Sequence, residues 1–179
     1  MIKKILLVVA LLVLVFCVVV ALRPADFRIT RSATISAPPS AVFPLVNDFH
    51  QWEQWSPWAK LDPKMSQDYG GAPSGSGAMY HWAGNNEVGE GKMTITESRP
   101  TDLVSIRLEF LKPIAATNQA DFTFQPQGND TLVTWTMTGR NNFVGKAAHL
   151  VMNIDKMVGK DFEKGLNQLK ALAEAKPKS

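Results

Sequence analysis

Three histidines are the side chains of this chain best suited to metal or acid–base chemistry. His50, His81 and His149 lie far apart, and none stands in an H-E-x-x-H or H-x-H spacing. Zinc ligands on one element need such a spacing to converge on a single ion. The sequence therefore indicates structural or surface roles for the histidines, and we expect neither a metal site nor another cofactor.

Nucleophilic catalysis finds little support in the sequence. The lone cysteine, Cys17, lies within a long apolar run near the N-terminus, so the rest of the chain has no thiol for a Cys–His pair or a disulfide. The sequence also lacks a G-x-S-x-G motif, which would present a serine nucleophile.

The segment EVGEGK at residues 87–92 places two glycines among charged residues. It lacks the register of a GxGxxG or P-loop motif and lies between strand patterns, so a bulge or a crowded cross-strand contact explains it better. If Glu90 pointed inward, burial would raise the pKa of its carboxyl group and suit it to acid–base work. Met93 and Ile95 share odd numbers, however, so alternation favours the outer face for Glu90.

An enzymatic alternative stays open at this stage. A buried acid such as Glu90 or Asp121 could work beside Tyr80 or His81 in acid–base catalysis. These four residues are the weak catalytic candidates of the sequence, and we rank this role below a solvated role for the acids.

Three of the five tryptophans, Trp52, Trp55 and Trp58, fall within one short segment. Trp52 and Trp55 stand three residues apart, so they would share a face of a short helix that Pro57 ends. Aromatic residues at this spacing usually belong to a core. The same residues could close the mouth of a pocket, offering a flat apolar wall and an indole N–H. The two roles are compatible.

The elements that must position these side chains follow from the hydrophobic periodicity. Alternation over residues 27–36 predicts a strand, and two short helices follow it. From Ala78 the period is two, which predicts further antiparallel strands, and after Gly139 it is 3.6 over about thirty residues. We expect an α+β fold in which a curved antiparallel sheet of about seven strands holds one long C-terminal helix, bent near Gly145 or Gly159.

A bent sheet with a single helix on its inner face need not fill completely, so we expect an apolar cavity between them. Inward-facing residues of these elements are the candidates for its wall. Besides the three clustered tryptophans, the predicted ligand-binding residues are Tyr80, Trp82, Met93, Ile106, Leu108, Phe122, Trp135, Met137, Ile154 and Met157.

Residues 5–22 form an uninterrupted apolar run, with Lys3 and Lys4 before it and Arg23 after it. As a helix at about 1.5 Å per residue the run spans roughly 27 Å, close to the hydrocarbon thickness of roughly 30 Å. It ends without an A-x-A cleavage pattern, which favours an uncleaved signal-anchor over a cleaved signal peptide. We predict a single-pass protein of the bacterial cytoplasmic membrane with an extracytoplasmic C-terminal domain, although the flanking charges alone do not decide its orientation.

The length beyond the anchor suits one domain. We expect a short basic tail at residues 1–4, the anchor at 5–22, a linker at 23–27, a ligand-binding domain at 28–175 and a frayed tail at 176–179. Lys3 and Lys4 supply two of the three net positive charges, and no Lys/Arg cluster follows. Nucleic acid is therefore not an expected partner.

The element order, the opening ISAPPSAVFPLVNDFHQWEQWSPW at residues 35–58 and the closing GKDFEKGLNQLKALAE at 159–174 resemble the SRPBCC superfamily. The likeness is to its polyketide cyclase/dehydrase and lipid-transport-like, START-like branch, and it runs over residues 28–175. It implies a helix-grip fold around a deep hydrophobic pocket.

The resemblance also implies that the pocket binds or carries an apolar or aromatic molecule. It does not imply catalysis, because the superfamily ranges from lipid and hormone binders to aromatase/cyclases. Our leading hypothesis is a membrane-tethered domain that holds a hydrophobic small molecule or lipid. The alternatives are an enzyme of the polyketide cyclase/dehydratase or hydrolase kind that uses one of the acids named above, and a structural module with a filled core. The oligomeric state stays open.

Overall fold

The computed structural model of this chain describes residues 1–175, and the tail expected at residues 176–179 lies outside them. The described residues contain seven strands in one antiparallel sheet, in the order β1-β7-β6-β5-β4-β3-β2. The strands are β1 (Asp26–Ile35), β2 (Ser66–Gly71), β3 (Ala78–Ala83), β4 (Glu90–Arg99), β5 (Leu103–Lys112), β6 (Ala116–Gln127) and β7 (Asp130–Arg140). Each strand from β2 to β6 pairs with its successor, and β1 pairs with β7.

Helices precede, interrupt and follow this sheet. They are α1 (Ile2–Leu22), α2 (Pro39–Asn47), a 3-10 helix (Phe49–Gln54), α3 (Phe143–Val151) and α4 (Ile154–Glu174). The predicted α+β helix-grip class, the short helices after the first strand and an apolar N-terminal helix are confirmed.

The C-terminal helix differs from its prediction because it is two helices. The break falls at Met152 and Asn153, whereas Gly145 and Gly159 lie inside α3 and α4. The Asn153 side chain accepts a hydrogen bond from the backbone N–H of Lys156 and so caps the start of α4. The apolar period continues across the break, so periodicity alone did not reveal it.

Helix α4 crosses the inner face of the sheet and anchors on β1. Arg31 of β1 forms ion pairs with Asp155 at 3.1 Å and with Glu163 at 2.8 Å. Gly165 allows a close approach, since a Cβ there would lie 3.0 Å from the Trp135 ring and 3.1 Å from Pro57.

The apolar core fills only the end of the sheet that α2 covers. Val42, Leu45 and Val46 of α2 are fully buried there, and they belong to the same cluster as Leu166 and Leu169 of α4. Helix α2 contacts β6, β7 and α4. The space between the sheet and α4 at the opposite end must therefore be covered by other residues.

The substitution Leu169→Ala tests how far the fold depends on α4. Leu169 is fully buried, so its truncation removes apolar contacts and leaves a void, and we expect a loss of about 2–5 kcal/mol in the free energy of unfolding. Urea unfolding of the detergent-solubilised chain, followed by tryptophan fluorescence, measures it. The matched control Leu111→Ala, at an exposed leucine, should change the free energy by about 0.5 kcal/mol or less.

Candidate functional site

An apolar cavity of about 260 Å³ lies at the end of the sheet that α2 leaves uncovered. Its wall consists of the inner face of β2 to β7, the 3-10 helix with the loop after it, the β3–β4 loop and the first half of α4. The exposed wall residues Glu53, Tyr69 and Glu87 mark its mouth.

Each element that reaches the cavity also contributes to the core, and the boundary between the two runs across the strands. On β4, Met93 lines the cavity while Ile95 is buried in the core, and on α4, Phe162 lines the cavity while Leu166 is buried. Residues that share a face of one element therefore take different roles according to their position along it.

Eight of the predicted ligand-binding residues line the cavity. They are Trp52, Trp58, Tyr80, Trp82, Met93, Leu108, Trp135 and Met137. Their side chains converge because alternation turns them to the inner face of the sheet or, for the tryptophans, because the 3-10 helix and its loop cover that face. That any of them binds a ligand stays a prediction.

The other five predicted residues do not line the cavity. Trp55, Ile106 and Phe122 face inward but are fully buried on the core side of the boundary. On α4, Ile154 packs against the edge of the core. Met157 is exposed because the same helix turns Val158 and Phe162 to the cavity instead.

Several wall residues were not among those predicted to bind a ligand. Phe110 continues the face of Leu108, and Val158 and Phe162 stand four residues apart on α4, so periodicity could have found these three. The turn-rich segments that supply most of the others carry no period. The complete set is Phe49, Glu53, Ser56, Ala59, Met65, Gln67, Tyr69, Glu87, Val88, Phe110, Ala120, Val158, Asp161 and Phe162.

Trp135 of β7 is the centre of the aromatic wall. Its ring stacks on Phe162 of α4 with 4.0 Å between ring centroids and 4° between ring planes, and it stacks on Phe122 at 4.7 Å. Trp52 and Trp58 present ring edges to it at 6.4 and 5.8 Å. Such pairs stabilise the packing beyond the area that they bury.

The indole N–H groups of the tryptophans in and behind the cavity wall differ in their hydrogen-bond partners. Trp52 donates to the backbone carbonyl of Val46 at 2.9 Å, Trp55 donates to that of Leu45 at 2.8 Å, and Trp82 donates to that of Val88 at 3.0 Å. Trp52 and Trp55 therefore have no free N–H to offer a ligand. Within residues 1–175, the buried Nε1 of Trp135 has no hydrogen-bond partner.

Tyr80 brings the other polar group to the wall. Its ring packs between Trp82 and Tyr69, with ring centroids 5.9 and 5.2 Å away. Burial raises the pKa of Tyr80 strongly, and the neighbouring Tyr69 and Glu53 raise it further. The Tyr80 hydroxyl is thus a neutral donor and acceptor at physiological pH.

The remaining weak catalytic candidates lie on the opposite face of the sheet. The Glu90 carboxylate is 2.6 Å from the Lys112 ammonium and 3.7 Å from His81. The hydrogen bond from Lys112 lowers the pKa of Glu90, so this group is not the buried, high-pKa acid of the enzymatic alternative. Asp121 accepts hydrogen bonds from Ser105 at 2.7 Å and from Gln119 at 3.0 Å.

The tyrosine environment predicts a specific alkaline behaviour. Folding raises the pKa of Tyr80, so above about pH 10, the ordinary tyrosine pKa, the unfolded chain releases a proton that the folded chain keeps. Stability should be unaffected below that pH and should fall as the pH rises above it. Urea unfolding at increasing pH measures this loss, and Tyr80→Phe should make it shallower.

The ultraviolet absorbance of tyrosinate provides the control. Tyr80→Phe should abolish the latest ionisation step, whereas Tyr69→Phe should leave that step in place. A late step that survives in Tyr80→Phe would contradict the assignment.

Comparisons with known proteins agree with this geometry. A family model described as "Polyketide cyclase / dehydrase and lipid transport" matches residues 26–174. No curated protein sequence matches the chain significantly.

Several solved structures share the fold at low sequence identity. Protein CV1439 from Chromobacterium violaceum is 15% identical, with a TM-score of 0.60 over 86% of this chain and 100% of that one. Protein Ms6760 from Mycobacterium smegmatis is 20% identical, with a TM-score of 0.58 over 83% and 91%. The Aha1 dimer from Colwellia psychrerythraea is 14% identical, with a TM-score of 0.59 over 83% and 97%.

The family match covers all seven strands and α4, together with every residue of the cavity wall. The chain carries a ligand-binding or cyclase-like domain of the SRPBCC superfamily, and it belongs to the polyketide cyclase/dehydrase and lipid transport family.

Proposed function

We propose that this protein is a membrane-tethered binding domain that holds a hydrophobic small molecule, lipid-like or aromatic, between its sheet and α4. The observation that carries the proposal is the cavity, which is walled by aromatic and aliphatic side chains and is left open by the core. A filled-core structural module would not leave this space, so the cavity weighs against that alternative.

The size of the cavity suits a small ligand. Typical ligand pockets measure about 300–1,000 Å³, and this cavity, at about 260 Å³, is close to the lower end. A ligand of one or two rings, or a short acyl chain, matches it. Burying about 200 Å² of apolar ligand surface would contribute roughly 5 kcal/mol.

Two polar groups give the ligand an orientation. The buried Nε1–H of Trp135 is a donor without a partner in the described chain, and a shift of the ring towards the cavity would let a ligand oxygen or nitrogen satisfy it. The Tyr80 hydroxyl stays neutral and can donate as well as accept. An apolar molecule with one or two acceptors therefore fits this wall better than a pure hydrocarbon.

The tether is α1, most of whose apolar surface is exposed. Of the residues of α1, all of which the structure describes, only Val20 is buried. The helix is long and apolar enough to cross a membrane. A bilayer would remove this surface from water, which favours an uncleaved anchor over a free soluble helix.

Catalysis is not part of the proposal. His81, Glu90 and Asp121 lie across the sheet from the cavity, so they could not reach a ligand held there. Tyr80, the one weak catalytic candidate on the cavity wall, has its pKa raised and is a poor base at neutral pH.

Filling the cavity should weaken ligand binding. Met93 lines the cavity, so Met93→Trp places a bulkier ring in it, and we expect the affinity for a fluorescent fatty-acid analogue to fall by about tenfold or more, equivalent to ~1.4 kcal/mol. The control Met79→Trp adds the same ring at an exposed position of neighbouring β3. Equal affinity in the two folded variants would show that the probe binds elsewhere.

Membrane tethering has an independent test. We expect the protein purified from membranes to keep residues 1–22, as judged by intact mass, and to stay in the membrane pellet after an alkaline carbonate wash. A mature protein that begins after residue 22 would replace the anchor with a cleaved signal and would leave the proposed binding cavity unaffected.

A further inference from the structure

We propose that the end of the sheet nearest α1 forms a second membrane contact, which docks on the lipid interface and holds the cavity at the bilayer surface. We call this surface the docking rim: Phe143, Val144 and Val151 of α3, and Leu111 and Ile114 at the β5–β6 turn. The inference rests on the tether proposed above, because it places the rim beside a membrane-spanning α1.

Helix α3 carries its apolar and polar sides the wrong way round for a surface helix. Phe143, Val144 and Val151 lie on one side and are 49%, 58% and 76% exposed. On the other side, Lys146 donates to the backbone carbonyl of Ala21 at 3.1 Å, and the His149 ring lies 5.4 Å from Phe27. A helix on a protein in water normally turns its apolar side to the core.

No residue of α3, a fully described helix, is buried. The apolar side of α3 therefore does not contribute to the core, although packing it inward would be favourable in water. This arrangement fits a helix whose apolar side has lipid to enter.

The contact between α3 and α1 sets the depth of α3. Lys146 reaches Ala21, the residue before the last residue of α1, and α3 packs against this end of α1. If α1 spans the bilayer, its C-terminal end lies at the boundary between hydrocarbon and headgroups. An amphipathic helix at that level buries its apolar side about 5–10 Å into the interface.

A second chain segment brings apolar residues to the same end of the sheet. The pairs Asp26 with Arg140 and Phe110 with Ala116 show that the start of β1, the end of β7 and the β5–β6 turn all lie at the same end of the strands. Leu111 and Ile114 are exposed at that turn. Two segments far apart in sequence thus expose apolar side chains on the side where α1 enters.

The charges at this end of the sheet favour a bilayer over a second apolar protein surface. Arg23, Lys112 and Arg140 are exposed there, against the exposed acids Asp26 and Glu87, so basic residues are in excess. Basic residues at this level attract anionic lipid headgroups. An interface rich in apolar tips and flanked by arginine matches a membrane with anionic lipid.

Docking would bring the cavity to the membrane surface. Glu87 and Val88 of the β3–β4 loop line the cavity. This loop lies at the same end of the sheet, because Ala83 pairs with Glu90 and Glu90 with Lys112. An apolar ligand that partitions into the bilayer would then enter the cavity without crossing bulk water.

Depth-dependent fluorescence quenching on the full chain tests the inference. In a Cys17→Ala background, single cysteines at Val151, Asn129 and Val13 carry an environment-sensitive label, and each protein is placed in nanodiscs of phosphatidylcholine and phosphatidylglycerol. Asn129, in the exposed β6–β7 turn at the opposite end of the sheet, is the control for solvent. Val13, in the middle of α1, is the control for the bilayer.

We expect lipids spin-labelled near the headgroup to remove most of the Val151 fluorescence, and aqueous iodide to leave it unchanged. The Asn129 label should respond in the opposite way. The Val13 label should respond to lipids spin-labelled deep in the acyl chain.

Three outcomes would overturn the inference, and they differ in what else they affect. Iodide quenching at Val151 with an embedded Val13 would remove the docking rim and leave the tether standing. Protection of Val151 from both quenchers would show that a protein, such as a second copy, covers the rim. Iodide quenching at Val13 would remove the tether and the docking rim together, without bearing on ligand binding.

Discussion

The stack between Trp135 and Phe162 is the contact on which the interior of this protein depends. It joins the middle of β7 to the middle of α4 with nearly parallel rings. On the α2 side of this stack, Leu166, Leu169 and the α2 residues close the core. On the other side, α2 does not cover the sheet, and the aromatic side chains of the sheet, of α4 and of the 3-10 helix line empty space instead of filling it.

Alternation predicted which face the strand residues take, as for Met93, Leu108 and Met137 on the cavity wall. Helical periodicity was less exact, since it turned the exposed Met157 inward. They could not predict how far along an element the core ends. Ile106 and Phe122 therefore shared the inward face with true wall residues but lie in the core. Met65 and Val88 come from loops, which carry no period, so only the folded chain shows that they reach the cavity.

The acids of the sheet's outer face are paired. Glu90, Lys112 and His81 satisfy one another there, and Asp121 is held by Ser105. The acidic residues of the cavity wall, Glu53, Glu87 and Asp161, are exposed or half-buried, and the polar groups that Tyr80 and Trp135 bring to the wall are neutral. This arrangement avoids the cost of burying an unpaired charge.

The hydrogen bonds from Trp52 and Trp55 to the carbonyls of Val46 and Leu45 fasten one side of the cavity to α2. The facing side is formed by β2, a six-residue edge strand that, within residues 1–175, pairs with β3 alone. The cavity is thus held more firmly on its α2 side than on its β2 side. A larger ligand of the proposed kind would be accommodated by displacement of β2, while the side held by Trp52 and Trp55 keeps its shape.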